Sequence, residues 1–403
     1  MKKSGIVLLA LFIALFGMSC SHSSGDGGSS AEGVTVTPIR SSWPVVREAS
    51  GQWVVLGEIA LSNSAAGTAS IKSITLNVTT GNGAPVQKTY DATQFKDMLL
   101  IVPRNADGTY TNSEPAGTSD MAPNSLGFGF VALRAGSSSQ PTQASVTMAF
   151  VDGTSRNADI PLSSFDPGQQ MTWPLRTIGG DWVAFNTTGG YYHWKAVNAY
   201  GPGQYFISQR FAIDAFRIDA GGNSSNPPHS PNKEDYYAWG QDILSVGSGT
   251  VVAVEKGKLD QVVGTEDIQN PIGNHVVIRH AQNLYSVYVH MMNSSATVTV
   301  GDQVATGQLL GKVGNSGGTD APHLHFQFVD DWKSGPDPLK SALQSQGLPA
   351  LFWNVKVNRL DSTALLGYLN PLPATWDDGI NASGGTYTMN GNMPLNMDSV
   401  TAP

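Results

Sequence analysis

Short runs of apolar–polar alternation, separated by Gly, Asn and Pro, recur along the chain. Ile74, Leu76 and Val78 alternate in Ser73-Ile74-Thr75-Leu76-Asn77-Val78. Leu126, Phe128 and Phe130 do the same, as do Val146, Met148 and Phe150. A period of two puts each apolar set on one face of a strand. Asp152-Gly153 follows the last of these runs and signals a hairpin. Strands at this spacing predict an antiparallel, immunoglobulin-like β-sandwich over residues 33–177. This stretch contains no histidine and no cysteine, so a spacer or binding module is expected there.

A second series of strands follows, expected to form a domain over residues 178–372. Residues 167–175 read as the linker. Tyr191-Tyr192-His193-Trp194-Lys195 reads as an aromatic strand, Gly201-Pro202-Gly203 as a turn, and 205–214 as a longer returning strand. Such a hairpin would bring His193 near Asp214. Strand interiors are poor in Asp because a buried carboxylate is costly when unpaired, so Asp214 needs either a cation or turn amides. Strands resume at 249–254, 273–280 and 284–290. In the last of these Tyr288 and His290 are expected on one face. His275 and His280 are oddly spaced, and strand-edge roles are expected for both. His229 lies in a polar loop, and exposure is expected. Residues 335–350 predict irregular chain with one short helix, and 373–403 a Gly/Asn-rich tail, edge-like or loosely packed.

The richest stretch is Ala321-Pro322-His323-Leu324-His325-Phe326-Gln327-Phe328. His323, His325 and Gln327 share one face of the predicted strand, and Leu324, Phe326 and Phe328 share the other. Two neutral imidazoles on one face suit a transition metal, or a metal plus a base. The Gly-rich loop Gly314-Asn315-Ser316-Gly317-Gly318-Thr319 feeds this strand and is expected to present a cleft rim. No Lys and no helix follows it, so it is not a phosphate cradle.

Composition supports an all-β chain. Charged residues are 13% of the 403, and Gly numbers 45, which suits turn-rich β structure better than long helices. The net charge of -8 comes without a basic stripe or polybasic patch, which excludes nucleic acid as a partner and electrostatic membrane docking. Met1-Lys2-Lys3 and the apolar run 6–18 form a secretory signal, too short to span a bilayer. Phe16-Gly17-Met18-Ser19-Cys20 resembles a bacterial lipobox, with Gly17 where Leu is usual. The resemblance implies a lipoprotein signal over residues 1–20, cleaved just before Cys20, the chain's one cysteine, which is lipidated as a membrane anchor and becomes the mature N-terminus. Each buried CH₂ of such an anchor contributes about 0.8 kcal/mol. Ser21 in place of a retention aspartate implies the outer membrane of a Gram-negative cell. The Ser/Gly-rich residues 21–32, with His22, form a tether.

From His193 to Val329 the chain resembles the lysostaphin-like, LytM-type zinc metallopeptidases that cut peptidoglycan peptides. The pieces that carry the likeness are Arg210-Phe211-Ala212-Ile213-Asp214, Gly249-Thr250-Val251-Val252, Gly273-Asn274-His275-Val276-Val277 and Tyr288-Val289-His290, followed by the run from Val300 to Gly311, Gly314-Asn315-Ser316-Gly317 and Pro322-His323-Leu324-His325-Phe326. They occur in the family's order and spacing. The resemblance implies a LytM-type β-sheet peptidase domain with Zn²⁺. It implies Asp214 and His325 as zinc ligands, His323 as an assisting base, and His290 beside the attacking water. The commonest family pattern has a histidine four residues before the aspartate. Arg210 stands there, and a guanidinium has no lone pair to give. One branch of the family places its histidine well upstream of such a segment, which here implies His193 as the third ligand. Tyr288 is a weaker oxyanion-donor candidate, and core packing is its expected role.

The expected function is therefore a zinc-dependent endopeptidase acting on peptidoglycan stems or cross-bridges. Arg210 keeps open a second expectation, a catalytically degenerate wall-binding or amidase-activating lipoprotein. A third, a lipoyl- or biotin-like carrier, is suggested by the turns at Val300-Gly301-Asp302 and Gly307-Gln308, but no modifiable Lys sits at a hairpin tip.

Overall fold

A computed structural model describes residues 32–48, 51–81, 85–102, 118–136, 139–177, 181–185, 187, 193, 196–201, 203–219, 221–333, 338–359, 386–394 and 398–401. The signal, Cys20 and nearly all of the tether lie outside these residues. The chain is nearly all β. Helix among the described residues comes in short pieces such as Ala92–Phe95 and Pro338–Leu343. None is long and apolar enough to cross a membrane. Two compact units form, one from described residues within Met1–Val46, Gln52–Ser164 and Ala199–Tyr205, the other from those within Arg47–Gly51, Phe165–Asn198 and Phe206–Pro403.

In the first unit the alternating apolar residues face inward. Ile74, Leu76, Val78, Phe130 and Val146 are fully buried. Asp152-Gly153 turns the Pro141–Phe150 strand back onto Ser155–Ser164, with Ala149 opposite Ser155 and Gly153 at φ 87°. Among the described residues of this unit pairing is antiparallel except where Leu162 to Ser164 run parallel to Trp43 to Val45. Gly57 has a steric reason: a Cβ there would meet the Trp43 ring at 2.2 Å.

The second unit is built on a sheet of 11 strands. Along it run Gln303–Val304, Gly249–Glu255, Asn274–Ala281, Leu284–Met291, Leu324–Val329, Ile213–Ile218, Asp181–Phe185, Asp398–Thr401, Phe352–Arg359 and Thr386–Asn392. The His-x-His strand is thus central, between Leu284–Met291 and Ile213–Ile218. Its Leu324, Phe326 and Phe328 join the main core with Val276, Ile278 and Tyr288. The opposite face carries the histidines. Farther along that face, Val277, Val287, Val289, Val329 and Trp332 form a second apolar cluster. Each buried aliphatic side chain contributes about 1.5–3 kcal/mol, so the site stands on a stiff platform.

Four expectations change. Residues 167–175 are no linker: Met171, Trp173 and Leu175 are buried in the main core, and Met171 accepts the Trp353 amide at 2.8 Å. Their own period-two alternation was the signal. The tail is edge-like only in part and is not loosely packed: Thr386–Asn392 is the end strand of the sheet, Asp398–Thr401 lies inside it, and Met389 and Val400 are fully buried. Their partners in Phe352–Arg359 are remote in sequence, so local composition could not reveal them. The expected 205–214 strand is broken by a turn at residues 208–211, where the Arg210 amide bonds to the Ile207 carbonyl. His193 has helical conformation and is not part of a strand.

Candidate metal centre

Asp214 is the second residue of the Ile213–Ile218 strand and stands directly opposite His325 in the antiparallel register. Opposed residues of paired strands share a face with Cβ atoms about 5 Å apart, so this register alone joins carboxylate and imidazole. His325 Nδ1 lies 2.9 Å from Asp214 Oδ1. His193, itself in helical conformation, has Nε2 3.2 Å from Asp214 Oδ2. Its ring meets that of His325 edge-on, with centroids 4.8 Å apart. One ligand atom from each of His193, Asp214 and His325 lies within 4.8 Å of the others, and all three residues are buried.

This donor set fits zinc. Catalytic zinc sites use three protein ligands, commonly histidine and carboxylate, at about 2.0–2.2 Å. Tetrahedral donors at that radius stand about 3.4 Å from one another, close to the separations from Asp214 to its two imidazoles.

His323 and His290 complete the cluster. His323 Nε2 is 3.5 Å from Asp214 Oδ1. Its Nδ1–H is directed at the Ala321 carbonyl, 2.8 Å away, with Thr319 Oγ1 at 3.1 Å. Its ring stacks on Phe216 with centroids 4.7 Å apart. His290 donates its Nδ1–H to the Ser316 carbonyl at 2.8 Å. With Nδ1 of both rings so engaged, Nε2 of each is the nitrogen that can exchange a proton.

The backbone explains how His290 reaches this place. Strict alternation would put it on the face of Tyr288, the expectation from sequence. Tyr288 is in the core, ring to ring with Phe326 at 5.2 Å, and its hydroxyl accepts the Val246 amide at 2.9 Å. His290 has φ 63°, the left-handed region. This single residue breaks the alternation and turns its ring to the other face, 5.0 Å from His323 and 5.9 Å from His325. Left-handed backbone at a non-glycine costs about 1–3 kcal/mol and persists where packing over-determines it. Tyr288 is therefore a core residue and drops out as an oxyanion donor.

The Gly-rich loop is a brace. Asn315 and Ser316 are fully buried, and Ser316 supplies the carbonyl that holds His290. Gly317, at φ 92°, packs so tightly on 271–273 that a Cβ would meet the Pro271 carbonyl oxygen at 2.6 Å. Asp260 ties the loop down by accepting the amides of Asn315 at 2.8 Å and Asn293 at 2.9 Å.

The other candidates lie outside the cluster. His275 is buried rather than at an edge, with its ring 5.9 Å from Trp332 and Nδ1 on the Gly273 carbonyl. His280 bonds the Ser248 carbonyl and Ser286 Oγ. His229 is exposed. Arg210 is 1% exposed, its guanidinium carbon 5.9 Å from the Phe211 ring centroid. Sequence reasoning gave no role to the Ser316 and Ala321 carbonyls, Thr319 or Phe216. Phe216 had a signal, because it lies two residues beyond Asp214 and so shares its strand face.

Burial would raise the Asp214 pKa, but His193 and His323 outweigh it and hold the carboxyl well below its usual range. Burial, with charge repulsion from His323 and His325, holds His290 well below the ordinary imidazole value. Burial also lowers His325, and does the same to His275 and His280. For His323 burial acts downward, but Asp214 prevails and raises it. At neutral pH these directions give an ionised Asp214 beside neutral His325 and His290, the protonation states metal binding needs.

A pH prediction follows for the chelator-treated protein. A lowered histidine pKa means the unfolded chain binds more protons between the folded pKa and about 6.5, so stability rises with pH through that window. His290, His325, His275 and His280 act in this sense. Raised His323 opposes them, since its contribution is present at low pH and fades above its folded pKa. The melting temperature of the metal-free protein should fall between pH 7 and pH 5, while Asp214 stays ionised throughout. A melting temperature that rises on acidification would contradict the balance.

Residues 236–336 match the model of Peptidase family M23. The chain is 33% identical over 96 residues to the peptidoglycan DD-endopeptidase ShyC of Vibrio cholerae, covering 24% of this chain and 19% of that protein. It is 42% identical over 73 residues to the cell division protein DipM of Caulobacter vibrioides, covering 18% and 12%. It is 36% identical over 90 residues to the murein hydrolase activator EnvC of Escherichia coli, covering 22% and 20%. The chain thus spans about a fifth or less of the length of these relatives.

Proposed function

We propose that this chain, which carries a LytM-type domain of peptidase family M23, is a zinc-dependent endopeptidase that hydrolyses peptide bonds in peptidoglycan. The observation that carries the reading is the buried His193, Asp214 and His325 set with two further histidines beside it. Zinc, when bound by these three residues, supplies a Lewis acid that polarises the scissile carbonyl and makes water nucleophilic at neutral pH. The chain's own groups handle the protons. His323, oriented by the Ala321 carbonyl and Phe216, takes the proton from the attacking water at Nε2. His290 is held neutral by burial, so at rest its Nε2 accepts a proton rather than donating one. This favours His290 as the relay that carries a proton to the leaving amine over a standing oxyanion donor.

The relatives named as peptidoglycan endopeptidases support peptidoglycan peptide as the substrate. We place the protein in the cell envelope, held to the outer membrane through lipidated Cys20. Arg210 at the usual ligand position, with the likeness to a murein hydrolase activator, favours one second reading: a wall-binding activator without its own activity.

Purified sacculi incubated with the protein decide between them. The peptidase reading expects about one zinc per chain and release of muropeptides with new free amino termini, abolished by chelation and restored by zinc. A protein that holds no zinc and releases nothing alone, yet stimulates a partner amidase, would replace it with the activator reading.

A further inference from the structure

We propose that Gln327 is a positioning residue that commits His325 to binding zinc through Nδ1. The inference rests on the metallopeptidase reading above. A neutral imidazole has one N–H and one lone pair, and a nitrogen that ligates a metal must present the lone pair. The two ring nitrogens of His325 meet different oxygens: Nδ1 is 2.9 Å from Asp214 Oδ1, and Nε2 is 3.0 Å from Gln327 Oε1. With the ring proton on Nε2, His325 donates to the Gln327 carbonyl oxygen. Its Nδ1 lone pair then lies among the Asp214 oxygens and His193 Nε2, where the metal would be held. The opposite tautomer turns the lone pair away from the cluster.

Gln327 is well placed to enforce this choice. It is 3% exposed and lies two residues beyond His325 on the same face of a central strand. Val287 stands opposite it in register. A buried amide so held gains little by turning to solvent, and leaving the Nε2–H of a buried imidazole without an acceptor costs about 1–3 kcal/mol. Outer acceptors of this kind fix the tautomer and ring plane of metal-binding histidines. The same reasoning separates the histidines of the His-x-His pair. The Nδ1–H of His323 is held by the Ala321 carbonyl, so its Nε2 is left for proton transfer. His325 is held at Nε2, so its Nδ1 is left for the metal. Two histidines on one strand face thus expose different nitrogens because their partners differ.

The test measures zinc affinity of the whole chain by competition with a chromogenic chelator, alongside circular dichroism and melting temperature. Gln327→Leu should weaken zinc binding by about 10–100-fold, the usual cost of losing such a partner. Gln327→Glu keeps the acceptor oxygen and should restore wild-type affinity or exceed it. A Leu variant that binds as tightly as wild type overturns the proposal, as does a Glu variant as weak as Leu, since packing alone would then account for the effect. A second measurement needs no variant. Long-range nitrogen–proton NMR of the ¹⁵N-histidine-labelled, zinc-loaded wild type should show His325 protonated at Nε2 and ligated at Nδ1; the reverse overturns the proposal. Wild-type protein that binds no zinc would remove the metallopeptidase reading itself. Zinc-binding wild type with an indifferent Leu variant would remove only the role of Gln327.

Discussion

His193→Ala is expected to lose bound zinc and, with it, cleavage of sacculi. The set would fall from three protein ligands to two, Asp214 and His325. Arg210 cannot fill the gap, because it offers no lone pair and is buried where it stands. Metal contributes several kcal/mol of transition-state stabilisation in such sites, so turnover should drop on the order of a thousandfold or more. Metal analysis after dialysis, paired with the sacculus digest, checks both halves. A His193→Ala protein that keeps its zinc would remove His193 from the ligand set. His193 reaches Asp214 Oδ2 while His325 reaches Oδ1, so the carboxylate is gripped from both sides.

His323→Ala should behave in the opposite way toward metal and in the same way toward catalysis. His323 Nε2 lies 3.5 Å from Asp214 Oδ1, longer than either contact from His193 or His325. The variant should keep about one zinc per chain. Without a base at that position, cleavage should fall by about 10²–10⁴-fold, the usual contribution of a positioned proton acceptor. The loss should appear in kcat with KM little changed. Full activity in the zinc-loaded variant would end the assignment of His323 as the base. Zinc loss equal to that of His193→Ala would make it a fourth ligand instead. The pair of variants therefore separates binding from proton transfer among three histidines, His193, His323 and His325, that all face one carboxylate.

Much of this centre was legible in the residues. Alternation in 323–328 put His323, His325 and Gln327 on one face before any partner was known. Asp214 among apolar neighbours needed either a cation or turn amides, and it stands opposite His325. In the first unit, Ile74, Leu76, Val78 and Phe130 went inside as their period required, and Asp152-Gly153 made its hairpin. Other readings failed for different reasons. The buried strand Asp398–Thr401 lies between Asp181–Phe185 and Phe352–Arg359, partners distant in the chain, so nothing in its own Gly/Asn-rich surroundings revealed it. Met171, Trp173 and Leu175 alternate like a strand, a local signal that the linker reading passes over. A hairpin ladder is the sequence's route from His193 to Asp214; His193 does meet Asp214, but with helical backbone at that residue.

The sequence by itself determined the inventory of donors, the face of each side chain within an uninterrupted strand, and the absence of a histidine four residues before Asp214. Period and chemistry are local properties, and local properties are written in the chain. Tertiary structure alone decided that His193 stands within reach of Asp214, that Arg210 is buried beside Phe211, and that His290 leaves the face of Tyr288 through one left-handed residue. It also decided which nitrogen each histidine presents, because the Ser316, Ala321 and Gln327 oxygens set the tautomers. These outcomes depend on strand register, backbone handedness and contacts between remote segments, none of which a period of two can encode.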